Sequence, residues 1–144
     1  MPVRLALFAE ILHSFRFNDF ICAMTHVRRG IRIFALLWFL FISVLFLLPG
    51  SALPSEGLFN LPFFDKYVHV GFFAVLLFLW RFFFDEEKKF TWLLLSLAFC
   101  YGMAIEVVQH YFVANRSFDV VDVAADMLGA AAGLLIWTGR YIKK

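Results

Sequence analysis

Residues 33–48 read IFALLWFLFISVLFLL, a run without a single charge, closed by Pro49 and Gly50. Three similar runs follow. Residues 67–84 are interrupted only by His69 and Arg81. Residues 90–113 carry no charge before Glu106, and residues 120–142 hold Asp122 and Asp126 near their start and Arg140 near their end. A spanning helix needs ~20 mainly apolar residues, within a range of ~17–25. The first run is slightly short, but Arg32 can snorkel and the Pro-Gly end can lie in the interface. None of the runs alternates as barrel strands do, and in lipid the backbone must satisfy itself within helices or closed barrels. The expected fold is all-α, a four-helix transmembrane bundle.

Composition agrees. Apolar residues make up 63% of the 144-residue chain, against about half in soluble domains, and the mean hydropathy is +0.84. The 21 phenylalanines exceed what a small water-soluble core could bury, so the surplus must face lipid. The net charge of +2 gives no nucleic-acid footprint. Cys22 and Cys100 fall at different depths and in no metal-type spacing, so neither a disulfide nor a thiolate metal site is expected.

Lysine and arginine set the expected orientation. Arg4, Arg16, Arg28, Arg29, Arg32, Arg81, Lys88, Lys89, Arg140, Lys143 and Lys144 fall on one side, and only Lys66 and Arg116 on the other. The positive-inside bias makes both termini cytoplasmic and suits a cytoplasmic (inner) membrane. Residues 1–30 read as a cytoplasmic N-terminal segment, either a short amphipathic helix on the inner leaflet or, if translation starts at Met24, a non-native extension. Residues 31–144 form the membrane domain.

The unusual polar residues gather at the opposite face. Asp65, Lys66 and His69 open the second span. Glu106, Gln109 and His110 close the third, and Arg116, Asp119, Asp122 and Asp126 lead into the fourth. Asp119, Asp122 and Asp126 share one helix face, which continues through Gly129 and Gly133, a pair that lets another helix approach closely. Counting Glu56, six acids at this side meet two cations. Carboxylates are costly at depth, so either a carboxyl holds a proton, Glu106 and Asp126 being deepest, or a cation is bound. Oxygen ligands of this kind suit Mg²⁺ or Ca²⁺. No cofactor is established by the pattern.

In these residues the chain resembles the VanZ-like family of small bacterial membrane proteins. The family's Asp-Lys-x-x-His opening matches Asp65, Lys66 and His69. Its Glu-x-x-Gln matches Glu106 and Gln109, and its following Arg and spaced acids match Arg116, Asp119 and Asp122. The closing Asn-x-x-Gly-x-x-x-Gly is matched by Asp126, Gly129 and Gly133, with aspartate in place of asparagine. The family is named for a protein associated with resistance to teicoplanin, a glycopeptide antibiotic. The resemblance implies a cell-envelope setting, and resistance is not implied for every member.

Three roles compete. The first is an envelope accessory protein whose outer-face site receives a lipid headgroup, a cell-wall precursor or a cation, with Arg116 and Lys66 available to grip an anion. The second is a membrane-surface enzyme acting on a lipid-linked or wall-precursor substrate, with His69 or Glu106 as base. The third is a small transporter, disfavoured because the acids do not continue to the inner side, unless Gly129 and Gly133 pair two copies into a homo-oligomer. The sequence carries no nucleophile motif.

Overall fold

Backbone amides that enter a bilayer need partners from the turn before them. Accordingly, the basic lead into the first apolar run is already helical. The computed structural model describes residues 26–49, 52, 63–84 and 88–141. In it, α1 spans His26–Phe46, α2 Phe64–Trp80, α3 Lys88–Phe112 and α4 Val120–Tyr141. All four are long and apolar enough to cross a membrane. α1 thus begins seven residues before the uncharged run and takes in Arg28, Arg29 and Arg32. It tightens at its end, where the Leu47 amide lies 3.2 Å from Ser43 O and 3.1 Å from Val44 O, and stops before Pro49. α2 runs on into a 3-10 turn, Arg81–Phe83. Residues 1–25 lie outside the described residues, and with them all but the last five residues of the N-terminal segment (those five open α1), Cys22 and the Met24 question. Glu56 does too.

Successive helices run in opposite directions. At one end of the bundle Arg32 Nε donates to Phe82 O (3.3 Å), Phe84 packs on Phe90, and Phe82 packs on Trp137 and Tyr141. This brings the start of α1, the end of α2, the start of α3 and the end of α4 together. At the other end Gln109 Nε2 donates to Phe46 O (2.8 Å) and Phe46 packs on His69.

α4 is the hub. Half of its span is buried within the protein, against 17% for α1, whose Phe34, Leu37, Leu40 and Val44 stand exposed as lipid would require. α2 and α4 are in backbone contact. A methyl group built on Gly129 would overlap the Val70 carbonyl, and one on Gly133 would overlap that of Ala74. Residues 70 and 74 are one turn apart, as are 129 and 133, so the glycine seam meets α2 in register. The close approach expected of these glycines is made inside one chain. Around this contact lie Ile42, Phe73, Leu77, Leu94, Ala98 and Leu134. Opposite it, α1, α2 and α3 meet less tightly and leave an apolar cavity of about 210 Å³ beside Leu76, Trp80, Leu94 and Tyr101. Polar stitches cross the helices at Trp38 Nε1 to Phe72 O (3.2 Å) and between Ser43 Oγ and Tyr101 Oη (2.7 Å).

Candidate functional site

The site is built where α2 and α4 begin and α3 ends. Asp119 stands just before α4, and its Oδ1 accepts the Val121 amide at 2.8 Å, an N-cap that satisfies one free donor of the first turn. The backbone amide of Asp119 in turn donates to Glu106 Oε2 (2.9 Å), tying the end of α3 to the start of α4. Between them the chain turns through Asn115 at φ 60°, a left-handed position that asparagine tolerates well. Phe63, just before α2, is also left-handed (φ 62°), a costly conformation for a bulky side chain. α2 has no side-chain cap, so Asp65 is a first-turn acid and not a cap.

Lys66 is the electrostatic centre. Its ammonium bridges Asp119 (2.6 Å), Asp65 (3.3 Å) and Asp122, and its side chain is only 21% exposed. It donates to Asp119 and Asp65, and the Asp122 carboxylate lies in ion-pair contact beside them. The same ammonium holds the Asp119 carboxyl below the usual aspartate range, helped by the Val121 amide. Arg116 reaches Asp65 at 3.5 Å through Nη1, while its buried Nε meets no acceptor among the described residues.

Below this layer His69 and Asp126 pair. His69 Nδ1 and Asp126 Oδ1 share a hydrogen bond at 2.8 Å, and both residues are almost completely buried, 2% and 1% exposed. With Asp126 ionised Nδ1 is the donor, and a neutral ring then carries its lone pair on Nε2, which faces Asp65 Oδ1 at 3.9 Å. Phe46 packs on the imidazole, ring centroids 4.6 Å apart. Asp126 fits because Gly102 faces it. A Cβ at residue 102 would lie 2.6 Å from Asp126 Oδ2. Glu106 and Asp122 complete the buried set, at 0% and 4% exposure. Glu106 Oε1 and Asp126 Oδ2 have no hydrogen-bond partner among the described residues.

Asp65, Lys66, His69, Glu106, Arg116, Asp119, Asp122 and Asp126 therefore meet in one contact network. Gln109 is at the same level and fully buried, but it ties down the last turn of α1. His110, expected on the same face as Glu106, is exposed against Tyr111, since α3 ends within a turn and its last residues leave the bundle. Two residues escaped the sequence reading. Gly102 is one turn before Glu106 on the polar face of α3, and that spacing was its only signal. Arg81, counted there merely as a basic residue near a loop, is 2% exposed at the far end of the bundle, its guanidinium 4.3 Å from the Trp137 ring centroid and bonded to Phe84 O (3.0 Å).

Five acids against Lys66 and Arg116 leave the network formally at −3 when His69 is neutral. Such a site repels anions and attracts cations. Lys66 is turned into this acidic set. Asp65, His69 and Asp122 each place one ligand atom within 4.8 Å of the others, a grouping able to hold a metal ion. The oriented Nε2 is equally a base in waiting. Ser117, the nearest hydroxyl in sequence, is exposed on the loop.

No curated protein and no solved structure matches the chain. A family model described as VanZ/LLP1 matches residues 5–142, nearly the whole chain and well upstream of the first span. With four apolar helices of spanning length and the motif residues gathered at one end, the chain belongs to the VanZ-like family of membrane proteins.

Proposed function

We propose that this protein is a cell-envelope accessory protein of the bacterial inner membrane, with both termini cytoplasmic and the polar network open to the outer face as a ligand site. The observation that carries the reading is the convergence of three helices on a buried network short of positive charge. Isolated polar residues that merely glue helices contribute only ~0.6 kcal/mol each and call for no such excess of acids. The orientation is supported by Arg28, Arg29, Arg32, Arg81, Lys89 and Arg140, all on the helix ends opposite the network, as the positive-inside bias requires. The family name supports an envelope setting, with glycopeptide susceptibility as the first phenotype to measure. Expression in a susceptible Gram-positive host should shift the inhibitory concentration of teicoplanin, and Glu106→Ala or Arg116→Ala should abolish the shift at equal membrane abundance. Full activity in both variants would refute a role for the network.

The His69–Asp126 pair favours a second reading, a membrane-surface hydrolase or transferase in which His69 Nε2 takes a proton from water or an acceptor hydroxyl. Turnover of a lipid-linked wall precursor by purified protein, lost in His69→Gln, would establish it. A transport role has less support, because the bundle interior beneath the network is lined by apolar Phe73, Leu77, Leu94, Ala98 and Leu134.

A further inference from the structure

The donor set names an ion more specifically than its charge does. The geometry points to a divalent transition-metal site of the zinc type, formed by His69 Nε2 and the carboxylates of Asp65 and Asp122, with Lys66 as a built-in competitor for the same oxygens. This deepens the reading of the network as a ligand site and rests on it.

The three ligand atoms lie within 4.8 Å of one another. A tetrahedral ion with bonds of ~2.1 Å sets its ligand atoms about 3.4 Å apart. His69 Nε2 and Asp65 Oδ1 are already 3.9 Å apart, and Asp65, 45% exposed in the first turn of α2, can turn toward an ion by exchanging its bridges to Lys66 and Arg116. His69 and Asp122, both buried, are already fixed.

Two independent features point at a ligand here. The first is the second layer. Asp126 is hydrogen-bonded to His69 Nδ1, which fixes the ring plane and, with Asp126 ionised, the tautomer, leaving Nε2 aimed at Asp65. Metal-binding histidines are oriented in this manner by a carboxylate behind them. The second is the charge left over. Asp122, itself one of the three ligands, is 4% exposed, and its Oδ1 has the Lys66 ammonium against it but no well-formed hydrogen bond among the described residues; buried Glu106 Oε1 and Asp126 Oδ2 are unpartnered as well. Buried carboxylates are ordinarily paired, protonated or placed beside a metal, and a divalent ion on Asp65 and Asp122 adds positive charge where Lys66 and Arg116 leave the network short. Mg²⁺ and Ca²⁺, the ions that the acids alone suggested, prefer an all-oxygen shell. An imidazole in the set turns the preference toward zinc and its neighbours.

Lys66 occupies this position with its own cation, touching Asp65 Oδ2 and Asp122 Oδ1. Asp119, 2.6 Å from Nζ, is not in the ligand set and can keep the ammonium when it leaves the other two. Metal entry therefore exchanges one cation for another, and Lys66 lowers the affinity of the site without removing it.

The test uses the full chain in detergent with a tag free of histidine, stripped by chelator and titrated calorimetrically with Zn²⁺, Mg²⁺ and Ca²⁺, with bound metal counted by mass spectrometry. One zinc per chain is expected, tighter than either alkaline-earth ion. Asp126→Asn, which keeps the side-chain shape, should weaken zinc about 10–100-fold. Lys66→Met should tighten it at least tenfold. General misfolding cannot move the two variants in opposite directions. The proposal is overturned if neither wild type nor Lys66→Met binds zinc, if His69→Ala retains it, or if Lys66→Met weakens it. Zinc binding with no envelope phenotype would overturn the accessory role and leave the metal site standing, and the reverse result would do the opposite.

Discussion

Gly129→Ala tests the contact on which the whole site depends. In the structure a Cβ at residue 129 would overlap the Val70 carbonyl oxygen and lie 2.9 Å from its carbon. Carbon atoms in contact settle about 3.5–4.0 Å apart, so α2 must retreat by at least ~0.6 Å, and neither helix backbone can yield locally. His69 is the neighbour of Val70, and Asp126 is three residues before Gly129. The same retreat carries their 2.8 Å hydrogen bond to about 3.4 Å, past the range at which it holds. Overpacking costs about 1–3 kcal/mol, and the loss of the buried pair adds about 1–3 kcal/mol. Two signals should therefore change together. Thermal unfolding in detergent should shift down by several degrees, and ¹⁵N spectra of the His69 ring should lose the signature of a hydrogen-bonded Nδ1–H. Gly139→Ala, where a Cβ meets nothing within 4 Å, is the matched control. A Gly129→Ala protein with unchanged stability and an unchanged His69 ring would refute backbone contact between α2 and α4 and, with it, the shape given to the site.

Other perturbations separate the remaining parts. Lys66→Met in metal-free buffer leaves Asp119 and Asp122 without their ammonium and should cost roughly 3 kcal/mol, the low end for breaking a buried pair because Lys66 keeps some exposure; unchanged thermal unfolding would show that the bridges do not form. Asp119→Ala removes both the α4 cap and a bridge to Lys66, whereas Asp119→Asn keeps a capping oxygen, so the alanine variant should be less stable by about 1 kcal/mol in chemical unfolding. Because its folded-state carboxyl is held below the ordinary value, the charge of Asp119 contributes fully above pH ~4 and is lost as the pH falls through the lowered value. In metal-free buffer the gap between wild type and Asp119→Asn should stay constant from pH 7 to 5 and narrow only below 4, and an earlier narrowing would contradict the bridge. Trp137→Leu removes the aromatic face beneath Arg81 and should cost about 2 kcal/mol or more. Trp92→Leu, at a side chain 71% exposed, should stay within about 0.5 kcal/mol in the same unfolding assay.

Much of this protein was legible along the chain. Helices in a bilayer are written as long apolar runs because each must satisfy its own backbone and face lipid, so the four spans stand out one at a time. Their alternation places residues 65–69, 106–109 and 116–126 at one end without any knowledge of packing, and the periodicity of residues 119, 122, 126, 129 and 133 names the face that turns inward. Contacts between helices follow from no such local rule. That Lys66 lies among three carboxylates, that Asp126 pairs with the His69 ring, and that Gly102 makes room for it depend on rotations and depths accurate to within an ångström. The backbone contact of Gly129 with Val70 and Gly133 with Ala74 sets those depths. Periodicity could show that the glycine face would be packed, but not that α2, and not a second copy, would pack it. Arg81 makes the same point from the far end: its charge is visible in the sequence, while its burial against Trp137 exists only once α2 and α4 are side by side.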